Sequence, residues 1–130
     1  MTDDLNKILI VDSSDEFIWT ICNVLEGAGL SVDAVTNGKD AVEFMRCSPQ
    51  TPVVVLNCQL PDMNAISLLD IIRQNGADPK VIIVTSYRIS EIRKRYIKER
   101  VWKFIEKPFN IVKLLELCKK GLADSLATGL

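Results

Sequence analysis

Residues 53–57 read Val53-Val54-Val55-Leu56-Asn57, four apolar side chains in succession closed by an amide. Three of the four are β-branched, and the run is too short for a helix, so it specifies a strand. Side chains alternate between the two faces of a strand, so a run apolar at every position must be covered on both. That requirement points to a parallel sheet enclosed by helices. Ile8–Val11 and Val81–Val84 repeat the pattern, and Val32–Val35 gives a weaker, alternating version. Val101–Ile105, interrupted by Lys103, reads as an edge strand.

Between these runs the apolar period changes to that of helices. Phe17, Ile18, Ile21, Cys22 and Leu25 form one stripe, ending at Gly27 and Gly29. Gly38, Ala41, Val42 and Met45 mark a second, stopped before Pro49, and Ile66, Leu68, Leu69, Ile71 and Ile72 a third, stopped at Gly76 and Pro79. Ile89, Ile92, Tyr96 and Ile97 suggest a fourth; Ile111, Leu114, Leu115, Cys118 and Leu122 follow the i, i+3, i+4, i+7 spacing of a fifth. Asn110 and Asn64 stand where helix N-caps belong. Five alternations of strand and helix with short connections imply an α/β fold with right-handed crossovers. One domain spans residues 1–130, its periodic core about 5–122; Ala123–Leu130 lose periodicity and read as a frayed tail or a truncated connection.

Composition narrows the function. The chain has 130 residues, 48% hydrophobic and 25% charged, the balance of a globular domain. No apolar run approaches the roughly 20 residues of a membrane span. The first residues lack the basic and apolar regions of a signal peptide, so a cytoplasmic location and four reduced thiols (Cys22, Cys47, Cys58, Cys118) are expected. There is no histidine, which removes Ser-His-Asp triads, His-containing zinc sites and histidine phosphotransfer within this chain. Charge is polarised: residues 1–50 hold nine acids and three bases, residues 51–130 eight acids and thirteen bases.

Ligands of open parallel sheets bind beyond the carboxyl ends of the strands. Each of four runs here is succeeded by polar groups: Asp12-Ser13-Ser14 after the first, Asn57 after the third, Thr85-Ser86 after the fourth, Lys107-Pro108-Phe109 after the fifth. Four such sets would converge on one sheet edge. ILIVDSSDEF (8–17), VVVLNCQLPDMNA (53–65), VIIVTSY (81–87) and KFIEKPF (103–109) resemble, in order and spacing, the receiver domain of bacterial two-component response regulators. The resemblance implies a flavodoxin-like, doubly wound sheet of five parallel strands in order 2-1-3-4-5 with five helices. It also implies a site in which an acidic pair and an acceptor aspartate hold Mg²⁺, while a Thr or Ser and a Lys contact the phosphoryl group. Asp12, Thr85 and Lys107 match that set. Ser13 stands in place of the second acid and Asn57 in place of the acceptor. Pro108 resembles a proline whose preceding peptide is commonly cis in receivers. Phe104 occupies the place of a switch aromatic, and ordinary strand packing is the equal alternative. Ala65 replaces a glycine, which implies a different local turn if that position needs positive φ.

An amide oxygen is neutral and its electrons are delocalised, so Asn57 should not accept a phosphoryl group. Mg²⁺ demands hard oxygen ligands, so with two of three carboxylates missing its binding should be lost, or weak through Asp12 alone. Asp15 and Glu16 read as first-turn acids favouring the dipole of the first helix rather than as substitute ligands. Asp12 and Lys107 should form a self-neutralised ion pair. The expectation is a phosphorylation-independent interaction module, not an enzyme, with no cofactor. Its partner would be a kinase, an effector or a second copy, met through the helix 4–strand 5–helix 5 face. Arg88, Arg93, Lys94, Arg95, Lys98, Arg100 and Lys103 give that face its positive charge, suited to an acidic protein surface. Nucleic acid is disfavoured because no DNA-reading motif is present, and no membrane partner is expected. Two rivals stand beside this reading: phosphotransfer through an unconventional acceptor such as Ser13 or Cys58, and a flavodoxin-like small-molecule binder. The acidic, glycine-free loop Asp12-Ser13-Ser14-Asp15-Glu16 opposes the second.

Overall fold

The computed structural model describes residues 6–85 and 89–128. Its elements alternate strictly: β1 (Lys7–Val11), α1 (Asp15–Gly27), β2 (Ser31–Val35), α2 (Gly38–Cys47), β3 (Val53–Asn57), α3 (Ala65–Gln74), β4 (Lys80–Thr85), α4 (Glu91–Lys98), β5 (Lys103–Glu106) and α5 (Ile111–Thr128). The strands form one parallel sheet in order β2-β1-β3-β4-β5.

Strand alternation sorts the apolar runs into two layers. Val54, Leu56, Leu9, Val11, Val81 and Ile83 pack with α2, α3 and α4 through Ala41, Met45, Leu68, Leu69, Ile72 and Ile97. Val53, Val55, Ile8, Ile10, Ile82 and Val84 face α1 and α5 through Ile21, Leu25, Leu114, Cys118 and Leu122. The continuous apolar runs are thus enclosed on both faces. Side-chain oxygens open the helices: Ser14 accepts from the Phe17 amide, Asn37 from Asp40, Asn64 from Ser67, Ser90 from Arg93, and Asn110 from Val112.

Three expectations need correction. The buried residue of α4 is Ile97, whereas Ile92 is 83% exposed and Tyr96 47%. Ile89 precedes the Ser90 cap, so its direction does not follow the helical phase and the 89–92–96 stripe never forms. The regular part of β5 begins at Lys103, although the Trp102 amide already bonds the Val81 carbonyl. Finally, α5 continues through Thr128, past the end predicted at Leu122. Its Ala- and Leu-rich end has high intrinsic helix propensity, and the helix is held by Gly121, where a Cβ would lie 2.9 Å from Val53 and 3.3 Å from Trp102. Ala65 needs no special turn either: it is the first helical residue of α3, and among the described residues only glycines have positive φ.

Candidate functional site

Parallel register brings the strand ends together. Val11 pairs with Leu56, Asn57 with Val84, and Thr85 with Glu106, so the residues just beyond β1, β3, β4 and β5 share one edge. Asp12 succeeds β1 and is 2% exposed. Its Oδ1 accepts from the Ser14 amide at 2.8 Å and its Oδ2 from Asn57 Nδ2 at 3.2 Å. A carboxylate only accepts, so Asn57 must present its NH₂ to Asp12. The Asn57 Oδ1 in turn accepts from the Gln59 amide at 3.2 Å. Both ends of this amide are committed, and a hydrogen bond to a charged group contributes about 1.5–3 kcal/mol.

Lys107 does not pair with Asp12, contrary to the expected ion pair. Its Nζ sits 4.1 Å from the centroid of the Phe17 ring, which meets Phe109 edge-on at 6.3 Å. Two neutral donors already satisfy Asp12, so the ammonium gains more from the aromatic face, typically about 0.5–2 kcal/mol. The backbone holds Lys107 at the edge through its amide bond to the Thr85 carbonyl, 2.7 Å, and the Lys107–Pro108 peptide is cis. Ser13 is exposed, and Asp15 and Glu16 lie exposed in the first turn of α1. Thr85 is 2% exposed. Burial pushes the Cys58 thiol pKa up, against lowering by the Arg93 charge and by Thr85.

The loop from β3 to α3 is clamped. Asp62 accepts from the amides of Gly38 (2.8 Å) and Lys39 (2.9 Å) at the start of α2, which hold its carboxyl below the usual range. Met63 lies over Gly38, where a Cβ would overlap its side chain. Phe104 is half-buried against the α2–α3–α4 layer, with Lys98 Nζ 5.5 Å from its ring. Of the basic run, Lys94 pairs with Glu106 at 3.1 Å and Glu91 at 3.4 Å, Arg100 stacks 3.5 Å over Tyr96, and Lys103 lies 5.2 Å from Trp102. Arg88 and Ser86 lie outside the described residues. Phe17 as the resting place of Lys107, and the Asp62 clamp, had no sequence signal, because each is a contact between elements.

The family model of the response regulator receiver domain matches residues 8–119. The chain belongs to that family. This receiver is 30% identical over 112 residues to two-component response regulator 24 of Arabidopsis thaliana, covering 86% of this chain and 81% of that protein. It is 26% identical to the DNA-binding transcriptional regulator NtrC of Escherichia coli K12, matching 89% of this chain but 24% of NtrC. Among solved structures it resembles the receiver of a LuxO repressor protein from Vibrio parahaemolyticus (TM-score 0.86, 25% identity, 95% of each chain). It also resembles the beryllofluoride-activated NtrC4 receiver dimer (TM-score 0.81, 25% identity, 92% of this chain and 98% of that one).

The receiver fold implies Mg²⁺ at this edge, and the donors present do not fit it. Octahedral Mg²⁺ takes oxygen ligands, but Asp12 is engaged at both oxygens and Asn57 turns its nitrogen inward. No group of three Cys, Asp or Glu residues able to hold a metal exists among the described residues.

Proposed function

We propose that this receiver signals without aspartyl phosphorylation, as a protein-interaction module rather than an enzyme. The observation that supports the reading is the closed hydrogen-bond chain Ser14–Asp12–Asn57–Gln59 at the acceptor position. An amide oxygen is a poor nucleophile, and here it is also bonded to a backbone N–H. With one buried acid and Lys107 held by Phe17, Mg²⁺ should bind weakly if at all, and no cofactor is required. Receivers act on kinases, on effectors or on each other; the NtrC4 receiver that this chain resembles is described as a dimer when activated by beryllofluoride. For this chain the partner would meet the α4–β5–α5 face, and the setting would be a bacterial cytoplasm. A buried, high-pKa Cys58 makes a poor alternative acceptor.

The test is incubation with acetyl phosphate or with beryllofluoride and Mg²⁺, read by intact mass and by fluorine NMR. The expected result is an unmodified chain. A stoichiometric, Mg²⁺-dependent adduct would overturn the reading.

A further inference from the structure

The basic run on α4 divides in two once its partners are known. Lys94 and Arg100 are turned to use within the chain, as are Lys98 and Lys103 through their aromatic neighbours. Arg93 and Arg95 have no acidic group within 4.0 Å among the described residues. Arg93 lines a groove between α3 and α4 of about 340 Å³. Ile66 and Asp70 line one wall, Arg93 and Tyr96 the other, and the buried Cys58 and Ile97 contribute to its floor. That volume is at the small end of ligand clefts, roughly 300–1,000 Å³, and far above the ~30 Å³ share of one water.

The groove is prepared to receive something part apolar and part anionic. Tyr96 is fixed in place: the Arg100 guanidinium stacks on its ring and bonds its carbonyl at 2.8 Å. Just outside the groove, Ile92 stands 83% exposed, an unusual position for a large aliphatic side chain. Arg93 is exposed, so it offers its charge at the mouth of the groove, while the buried Cys58 and Ile97 make the interior apolar. Asp70 on the α3 wall is the one acid in the groove lining among the described residues, so a carboxylate is accommodated only on the α4 side, at Arg93. One face of the Tyr96 ring is already covered by Arg100, which removes a stacking platform for a nucleic-acid base.

We propose that the α3–α4 groove docks an acidic, leucine-bearing segment of a partner protein, with a carboxylate on Arg93 and an aliphatic side chain between Ile66, Tyr96 and Ile97. This rests on the interaction-module reading and places the contact on the α3 side of α4, behind the α4–β5–α5 face. The groove floor is continuous with the degenerate site: Cys58 directly follows Asn57, its amide donates to the Val84 carbonyl at 3.0 Å, and its carbonyl accepts from the Ala65 amide at 3.1 Å. Docking would therefore bear on the strand ends without any phosphoryl group.

The experiment is an NMR titration of the ¹⁵N-labelled full chain with a blocked hexapeptide of alternating glutamate and leucine. Saturable shifts at the amides of Ile66, Ser67, Arg93, Tyr96 and Ile97 are expected. Arg93→Glu should weaken the affinity at least about tenfold, as for an interface anchor, and Tyr96→Ala several-fold. Lys119→Glu, an equal charge reversal on the exposed side of α5, should change it less than about twofold, its charge being screened by salt over that distance. The Arg93 amide, not its side chain, bonds the Ser90 cap, so Arg93→Glu should keep a native spectrum, which the same data verify. Four outcomes overturn the proposal: no saturable shifts up to millimolar peptide, shifts confined to β5 and α5, unchanged affinity in Arg93→Glu, or equal binding of a lysine–leucine peptide. So would tighter binding of oligothymidylate at the same amides, or shifts there on concentrating the protein alone, which would indicate a second copy. A phosphoryl adduct at position 57 would sink the phosphate-free reading yet leave this titration's result standing, so the two failures are separable.

Discussion

An amide and a carboxylate have nearly the same shape, and at position 57 the exchange turns repulsion into a hydrogen bond. An aspartate there would bring an anionic oxygen to about 3 Å from Asp12, where two unit charges repel by about 5 kcal/mol at an effective dielectric near 20. Ser13→Asp with Asn57→Asp should therefore lower the metal-free Tm by several degrees, and millimolar Mg²⁺ should restore part of the loss. Thermal scans with EDTA and with Mg²⁺ measure both; an unchanged or higher metal-free Tm would count against this account. Asp62 acts by the opposite logic, its charge stabilised by two amides at the start of α2. Its carboxyl is held below the ordinary range, so the stabilisation is complete above that range and is lost as pH falls through the lowered value. Asp62→Asn should thus be less stable than the parent at pH 7, and the gap should close on acidification. A gap independent of pH would show that the side chain's shape, not its charge, holds the clamp.

Helices in this domain obey their neighbours as much as their own sequence. The glycine inside α5 is an example, since mid-helix glycine costs about 1 kcal/mol relative to alanine. At Gly121 the missing Cβ admits Val53 and Trp102, and an added methyl would press on a stiff, buried valine. Gly121→Ala should therefore destabilise by on the order of 1 kcal/mol, because overpacking of about 1–3 kcal/mol outweighs the propensity gain. At Gly27, the last residue of α1, nothing lies within 4 Å of the same added atom. Gly27→Ala should stabilise by about 0.5 kcal/mol. Urea denaturation of the pair discriminates packing from propensity: equal signs would refute the packing argument. The α4 stripe failed for a related reason, because a residue before the cap does not share the helix's phase.

At the level of the whole molecule, sheet order converts a sequence asymmetry into a spatial one. The acid-rich first half supplies β2 at one edge, and α4 with β5 at the other edge carries five of the sixteen bases, Arg93, Lys94, Arg95, Lys98 and Lys103. The acidic partner proposed above would be steered toward that end of the domain, and its on-rate should fall as salt rises. The two-layer core also grades the four free thiols. Cys47 is exposed, Cys22 is half-buried with its pKa raised by burial and then by Glu26 and Asp33, and Cys58 is buried. Cys118 lies on the buried face of α5, where burial pushes its pKa up to about 12. Alkylation of the native protein, located by peptide mass, should modify Cys47 first, Cys22 more slowly, and Cys58 and Cys118 only on unfolding. Native labelling of Cys118 as fast as Cys47 would mean that the α1–α5 layer is not closed.

The strands, the five alternations, the strand order carried by the family resemblance, and the substitutions Ser13 and Asn57 were all readable in one dimension. Periodicity and residue chemistry are local properties, and a run such as Val53–Leu56 states by itself that both faces are covered. What Lys107 touches could not be read that way. Asp12 and Phe17 are both remote from it in sequence, and the choice between them depends on which donors already hold the carboxylate. The same holds for the clamp of Asp62 on α2, the division of the basic run into occupied and open members, and the groove between α3 and α4. Each is set by distances between elements that only packing fixes, because a side chain's partner is chosen by the lowest free energy among neighbours that the linear order does not name.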